Sequence, residues 1–397
     1  MRRENLEYAT IRYGTPLYAF DLDEIKRKSQ YFRERLWENA GLCFAMKANP
    51  FLVENMADLV DRMEVCSMGE FEICRKHKIP KEKLFISGVL KKKEDFYEIL
   101  DYCRGESRYS LESLSQLYDL LDWCKTNDEE VKAYLRLTSG NQFGMDEKTI
   151  EGIIDLRRRF PRVKIMGIHY FSSTQKKKEK IEKELHYLDD FLLRVQEKTG
   201  YPIQELEYGP GIGVRYFEGQ KEHLEEDLAL IRETVSQMKW QGKITLEMGR
   251  ALAASCGYYF TTVRDIKCNQ GKNYCLVDGG IHQINYDGQI RGMYQPFLLQ
   301  NPDAPAGQEK EFTICGSLCT YNDVLVQKVK LRNLQPGNVL IFKNVGAYAM
   351  TEGMALFLSH ELPGILLYSE KKGWKCLRQQ IQTYPWNTGA EDNWNKE

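Results

Sequence analysis

The chain has 397 residues, 42% of them hydrophobic and 28% charged, with a formal net charge of -1. Such a composition is that of an ordinary globular protein, long enough for two domains or one barrel with an appendage. It makes no electrostatic case for nucleic acid, because basic runs such as Lys176-Lys177-Lys178 are interleaved with acids and read as solvated helix faces. No apolar run approaches the ~20 residues of a membrane span, and no apolar segment follows the arginines of Met1-Arg2-Arg3-Glu4-Asn5. Neither a membrane segment nor a signal peptide is expected. The eleven cysteines are scattered with no CxxC pair, which suits free thiols in a reducing cytoplasm better than a disulfide framework. Cys315 and Cys319 lack the partner ligands of a zinc site, so no metal is expected.

From the N-terminus, residues 12–22 read as an extended entry strand, and Asp21 or Asp23 opens an amphipathic helix reaching about Trp37. From Leu42 to about Arg250, short apolar runs alternate with segments of helical period. The expected strands are Cys43–Met46, Arg62–Cys66, Leu84–Ser87, Ser107–Ser110, Ala133–Leu137, Lys164–His169, Glu205–Tyr208 and Ile244–Glu247. Helical segments such as Leu111–Trp123, Glu179–Lys198 and Leu224–Met238 lie between them. These alternations predict an α/β fold, a (β/α)8 TIM-like barrel. After Arg250 the texture is β-rich: Tyr258–Lys267, Tyr274–Asp278, Glu311–Cys315, Val324–Leu331 and Asn338–Phe342, parted by turn signals such as Gln335-Pro336-Gly337. Gln300–Lys310 reads as a surface loop. The expected division is a barrel over 26–251 and a C-terminal all-β domain over 252–397, joined by 1–25.

The first barrel strand ends in a lysine. Cys43-Phe44-Ala45-Met46-Lys47-Ala48-Asn49-Pro50 runs from an apolar strand into Asn-Pro, which no central strand continues. Burying an ammonium is costly and frees the amine as a nucleophile, the way Schiff-base lysines are made. Alone, Lys47 reads more simply as a strand-end lysine whose head reaches solvent. The chemistry of such a barrel gathers at the C-terminal ends of its strands, and the unusual residues fall there. Cys66-Ser67-Met68-Gly69-Glu70 follows the second strand and His169-Tyr170-Phe171-Ser172-Ser173-Thr174-Gln175 the sixth. Tyr208-Gly209-Pro210-Gly211-Ile212-Gly213 follows the seventh, where backbone N–H groups are placed to hold a phosphate. Glu247-Met248-Gly249-Arg250 ends the eighth and joins an acid to a base, which as structure alone is a surface ion pair.

In this order, over residues 12 to 370, the motifs resemble those of the fold-type III pyridoxal-phosphate decarboxylases, the family of diaminopimelate and ornithine decarboxylases. Phe44-Ala45-Met46-Lys47-Ala48-Asn49 is similar to the family's Tyr-Ala-x-Lys-Ala-Asn, and Gln142-Phe143-Gly144-Met145 to its Lys-Phe-Gly segment. Gly209-Pro210-Gly211 stands where the family has three glycines, and Glu247-Met248-Gly249-Arg250 matches Glu-Pro-Gly-Arg. Cys315 to Asp323 resembles the segment of the catalytic cysteine, which aligns with Cys319, and Gly346-Ala347-Tyr348 matches Gly-Ala-Tyr. The resemblance implies an alanine-racemase-like fold, pyridoxal 5'-phosphate as cofactor and a cytoplasmic homodimer with shared active sites. It implies that Lys47 holds the cofactor aldehyde and that Glu247 faces the pyridine nitrogen. Gly209, Gly211, Arg250 and Tyr348 would bind the phosphate, and Cys319 would protonate the α-carbon from the other subunit.

The departures bear on substrate. Phe171 stands where the family has a histidine on the cofactor ring, and it stacks without hydrogen-bonding. Thr320 follows Cys319 where the diamine enzymes carry an acid, and a hydroxyl gives an ammonium no countercharge. Both resemble the branch serving siderophore, antibiotic and polysaccharide pathways, some of whose members act on citryl-linked or carrier-protein-linked amino acids. Arg291 and Tyr294 are placed like a substrate-binding pair of the diaminopimelate enzyme, one residue closer together, and Asp323 completes the expected substrate set. The leading expectation is a decarboxylase of an amino acid or its conjugate, with a carrier-tethered form included. The alternatives are a diaminopimelate decarboxylase proper, an amino-acid racemase and a non-catalytic regulatory homologue.

Overall fold

The computed structural model describes residues 1–286 and 291–388. It divides into two compact units, one of residues 26–214 and 222–252, the other of residues 1–25, 215–221 and 253–397. Residues 215–221, inside the expected barrel range, group with the second unit.

The first unit is a closed barrel of eight parallel strands that follow one another in chain order. Counting Leu17–Asp21 of the second unit as β1, the barrel strands are β2 (Gly41–Ala45), β3 (Arg62–Val65), β4 (Leu84–Ile86) and β5 (Arg108–Leu111). They continue with β6 (Val131–Arg136), β7 (Val163–Phe171), β8 (Glu205–Gly209) and β9 (Lys243–Met248). All eight strands fall where the apolar runs predict them. β2 is buried along its whole length, and Leu42, Phe44 and Met46 are inaccessible to solvent. Removing the Phe44 ring would cost about 3–5 kcal/mol in lost packing. Lys47 is therefore carried on a rigid support. The strand stops because Met46–Ala48 turns into a 3-10 helix, after which the Asn49 side chain accepts the N–H of Phe51 at 3.1 Å.

In the second unit a nine-stranded sheet is formed by β1, β10 (Gly257–Asn269), β11 (Lys272–Val277), β12 (Leu298–Asn301), β13 (Glu309–Cys315), β14 (Val324–Arg332), β15 (Val339–Lys343), β16 (Gly364–Ser369) and β17 (Gly373–Arg378). Its centre is β10, antiparallel to β1, β11 and β15. Three features differ from the sequence expectation. A helix, Arg3–Tyr13, precedes β1 where part of an extended strand is expected. Only Leu6 and Ala9 of that helix are buried, against Leu17, Phe260 and Ile341, so its apolar pattern is faint. Gly14 ends it at φ +73°. The expected loop from Gln300 begins inside β12, whose Leu299 and Gln300 pair with Ile341 and Leu340. β16 and β17 were not foreseen, although β16 is wholly buried between β1 and β17. No helix among the described residues is long and apolar enough to cross a membrane.

Candidate active site

The barrel lumen is polar because charged residues recur at every second position of otherwise apolar strands. Arg62 and Glu64 alternate along β3, and Glu205 and Glu207 along β8. Arg62 bonds Glu207 at 2.5 Å and also pairs with Glu205, although β3 and β8 are not neighbours. The pair therefore crosses the interior and ties the lower barrel together. Burial pushes the Glu207 carboxyl up to about 7, with Arg62 opposing and Glu247 adding to the rise.

One layer higher, the register sets Ala45 beside Glu64 and Cys43 beside Glu247. Lys47 Nζ lies 2.7 Å from Glu64 Oε2, 3.6 Å from Cys66 Sγ and 3.9 Å from Glu247 Oε1. Glu64 is fixed in turn, because its second oxygen accepts Ser87 Oγ at 2.6 Å and Cys66 Sγ at 3.0 Å. Burial, then Glu64, pushes the Cys66 thiol up, which keeps it protonated. Glu247 is 6% exposed, and its Oε2 has no hydrogen-bond partner. His169 Nε2 stands 3.1 Å from that oxygen, yet neither atom makes a hydrogen bond. The other ring nitrogen of His169 is 2.8 Å from Ser110 Oγ. Burial, then Arg136, brings His169 down to about 3, so the ring is neutral.

Phe171 ends β7 directly beside Gly209, the last residue of β8. A Cβ at Gly209 would lie 2.4 Å from the Phe171 ring, so glycine is what lets the ring lie against the turn. Gly211 has φ +61°, and a Cβ there would come within 2.3 Å of Ser173 O. Gln142-Phe143-Gly144 is held by the same end of the barrel. Glu112 accepts the Gly144 N–H at 3.0 Å and pairs with Arg136, whose guanidinium lies 4.8 Å from the Phe143 ring centre. Arg250 opens the short helix Arg250–Ala253 just after β9.

Arg291, Tyr294, Cys319, Thr320, Asp323 and Tyr348 belong to the sheet unit. Cys319 is exposed on the turn before β14. Asp323, expected to meet substrate, is 3% exposed and accepts the N–H groups of Ile281 and Leu318 at 2.9 and 2.7 Å. Its carboxylate is turned inward and frames the Cys319 turn. Arg291 lies with its guanidinium 4.2 Å from the ring centre of Tyr321, next to Thr320, and Tyr321 is 79% exposed. Tyr294 packs instead on Phe217, with ring centres 5.2 Å apart. Tyr348 has φ +63°, a strained value for an aromatic residue, and its carbonyl accepts the N–H groups of Thr351 and Glu352.

Taken together, the barrel end offers an amine, a buried carboxylate oxygen without a partner, an aromatic face and a glycine turn. That set accommodates a flat cationic ring bearing an aldehyde and an anion. Sequence reasoning missed Glu64, Ser87, Arg136 and Glu112 as site members, and it named His169 only within the run at the end of the sixth strand. For Glu64 and Arg136 the available signal was a charged residue at an alternate position of a buried strand; Ser87 and Glu112 follow strand ends and lack it.

Residues 22–254 match the family described as "Pyridoxal-dependent decarboxylase, pyridoxal binding domain". Over 90% of its length the chain is 27% identical to L-glutamyl-[BtrI acyl-carrier protein] decarboxylase of Niallia circulans, covering 91% of that protein. It is 26% identical, over 89% of its length, to 2-[(L-alanin-3-ylcarbamoyl)methyl]-2-hydroxybutanedioate decarboxylase of Staphylococcus aureus, covering 94% of that protein. In three dimensions it is similar to diaminopimelate decarboxylase from M. jannaschii, with a TM-score of 0.83 at 22% identity, covering 95% of this chain and 92% of the other.

Proposed function

The chain belongs to the pyridoxal-dependent decarboxylases, and on that premise we propose that it removes the α-carboxylate of an amino-acid conjugate. The cofactor is pyridoxal phosphate and the activity that of a carboxy-lyase. When bound, the cofactor supplies a protonated ring that takes up the electron pair left by the departing carbon dioxide. Lys47 would hold the aldehyde carbon, with Glu64 aiming its amine. Glu247 Oε2 would hold the proton on the ring nitrogen, a role for which a buried acceptor without a partner is suited. Phe171 would stack on the ring, and the N–H groups about Gly209 and Gly211, with Arg250, would take the phosphate.

For the sheet unit we propose that Cys319 returns a proton to the α-carbon in a homodimer whose sites are shared. The free state of all eleven cysteines favours work in a reducing cytoplasm.

The substrate reading rests on what the Cys319 turn presents. Its one acid, Asp323, is buried, and Thr320 is a neutral hydroxyl. Close by stands a guanidinium, Arg291, over Tyr321. Such a surface suits an anionic or amide-linked distal end better than a free ammonium. The relatives named for a glutamyl-carrier and for a citrate-like conjugate support that choice. A carbon dioxide release screen tests it, with free diamino acids, acidic amino acids and carboxylate-bearing amide conjugates as candidates. The conjugates should be turned over fastest; a protein that prefers free diaminopimelate would defeat the proposal.

A further inference from the structure

The run Lys176-Lys177-Lys178, expected as a solvated helix face, divides in the structure. Lys177 and Lys178 are exposed, whereas the side chain of Lys176 has no solvent exposure. Its ammonium lies 2.5 Å from Glu184 Oε2 and 2.9 Å from Gly209 O. Glu184 also accepts Tyr208 OH at 2.9 Å and Ser172 OH. The Lys176 N–H donates to Gly211 O at 2.9 Å, and its Cε lies 2.9 Å from where a Gly211 Cβ would stand. Lys176 thus clasps the Gly209–Gly211 turn at both ends, by backbone on one side and ammonium on the other.

Burial, opposed by Glu184, pulls the Lys176 amine below the usual lysine range. A buried ion pair is frequently no more stable than an apolar replacement, so packing alone gives little reason for it. The turn supplies a reason. Pro210 at its centre has no N–H, which leaves the turn one backbone donor short for holding an anion.

We propose that Lys176 is a positioning residue for the phosphate of the cofactor. Its bonds to Gly209 O and Glu184 fix the turn in the shape that receives the anion. Its ammonium, bridging Glu184 and the turn, supplies positive potential in place of the missing N–H. The inference rests on assigning the Gly209–Gly211 turn to the phosphate.

The test uses the full-length chain freed of cofactor and titrated with pyridoxal phosphate and with pyridoxal, which lacks the phosphate. Lys176→Met/Glu184→Gln removes both buried charges together, and a circular dichroism melt checks that it folds. Its dissociation constant for pyridoxal phosphate should rise about tenfold or more, while that for pyridoxal changes less than about twofold. Adding Pro210→Gly to this variant should recover part of the loss. Lys176→Gln, which keeps a donor for Gly209 O but leaves the Glu184 carboxylate uncompensated beside the turn, should show at least as large a loss, again confined to the phosphate form. Equal losses for both compounds would mark a purely structural role and overturn the proposal, as would unchanged affinity in either variant. A wild-type chain that binds pyridoxal phosphate no tighter than pyridoxal would instead sink the assignment of the turn itself.

Discussion

Lys47 Nζ lies 2.7 Å from Glu64 Oε2 and 3.9 Å from Glu247 Oε1, so the lysine is aimed by an acid outside the motifs. Ser87 and Cys66 hold Glu64 from behind. The amine therefore has a direction before any cofactor arrives. Borohydride reduction of the holoprotein followed by peptide mapping should place the pyridoxyl group on Lys47. Glu64→Ala should keep the label there but acquire it roughly tenfold more slowly, for the loss of a charge-assisted bond worth ~1.5 kcal/mol. Label on another lysine would remove Lys47 from its role.

Glu247 and Cys319 should fail differently. Glu247→Gln should retain the cofactor while kcat falls by about 10²–10³, the usual loss of one preorganised electrostatic group. Cys319→Ala should spare carbon dioxide release more than correct protonation, giving slow turnover or aldehyde side products. Product analysis beside carbon dioxide release separates the two. A Cys319→Ala protein with wild-type rate and product would end that assignment.

His169 sets a pH dependence of stability. Its ring is held near 3 by burial and by Arg136, whereas in the unfolded chain it titrates near ~6.5. Between those values the unfolded state binds the extra proton, so stability is full above ~6.5 and is lost as pH falls toward 3. The slope from this one group is at most ~1.4 kcal/mol per pH unit. Denaturant midpoints from pH 7 to 4 should therefore fall more steeply in wild type than in His169→Gln. Parallel curves would show that the ring carries no such burden.

The shared site is open to a mixing experiment. Followed as correctly protonated product, Lys47→Ala should give none and Cys319→Ala little, and random reassociation of two-fold dimers should restore about a quarter of the wild-type yield. No recovery despite demonstrated subunit exchange would mean that each site is built from one chain.

The barrel was legible because eight apolar runs at strand length are separated by helical ones, and neither signal depends on distant contacts. Lys47 and Glu247 could be picked out for a similar reason, as charged residues at the ends of such runs. Glu64 was passed over: its alternation with Arg62 along a buried strand marks it as unusual, but its role shows only when the barrel closes and brings Ser87 and Lys47 to it. Lys176 misled for the opposite reason: charge runs are usually solvated, and only the return of β8 beneath it makes burial possible. The sheet unit was harder still. β16 pairs with β1 across more than three hundred residues, and nothing local in Gly364–Ser369 predicts a parallel partner at the other end of the chain.

Substrate choice should turn on Thr320 and Arg291. An acid that meets a distal ammonium gains roughly 1.5–3 kcal/mol from the charged bond, and the Cys319 turn presents none, because Asp323 spends both oxygens on backbone N–H groups. Free diaminopimelate, ornithine and lysine should therefore be poor substrates. Thr320→Glu should move preference toward the diamines by roughly tenfold, each 1.4 kcal/mol being one decade. Arg291→Ala should act in the reverse sense, raising KM for carboxylate-bearing conjugates while changing kcat little, since its guanidinium would bind ground and transition states alike. The two variants together decide whether the turn reads charge. If Thr320→Glu gains nothing with diamines and Arg291→Ala loses nothing with conjugates, the distal end of the substrate is held elsewhere.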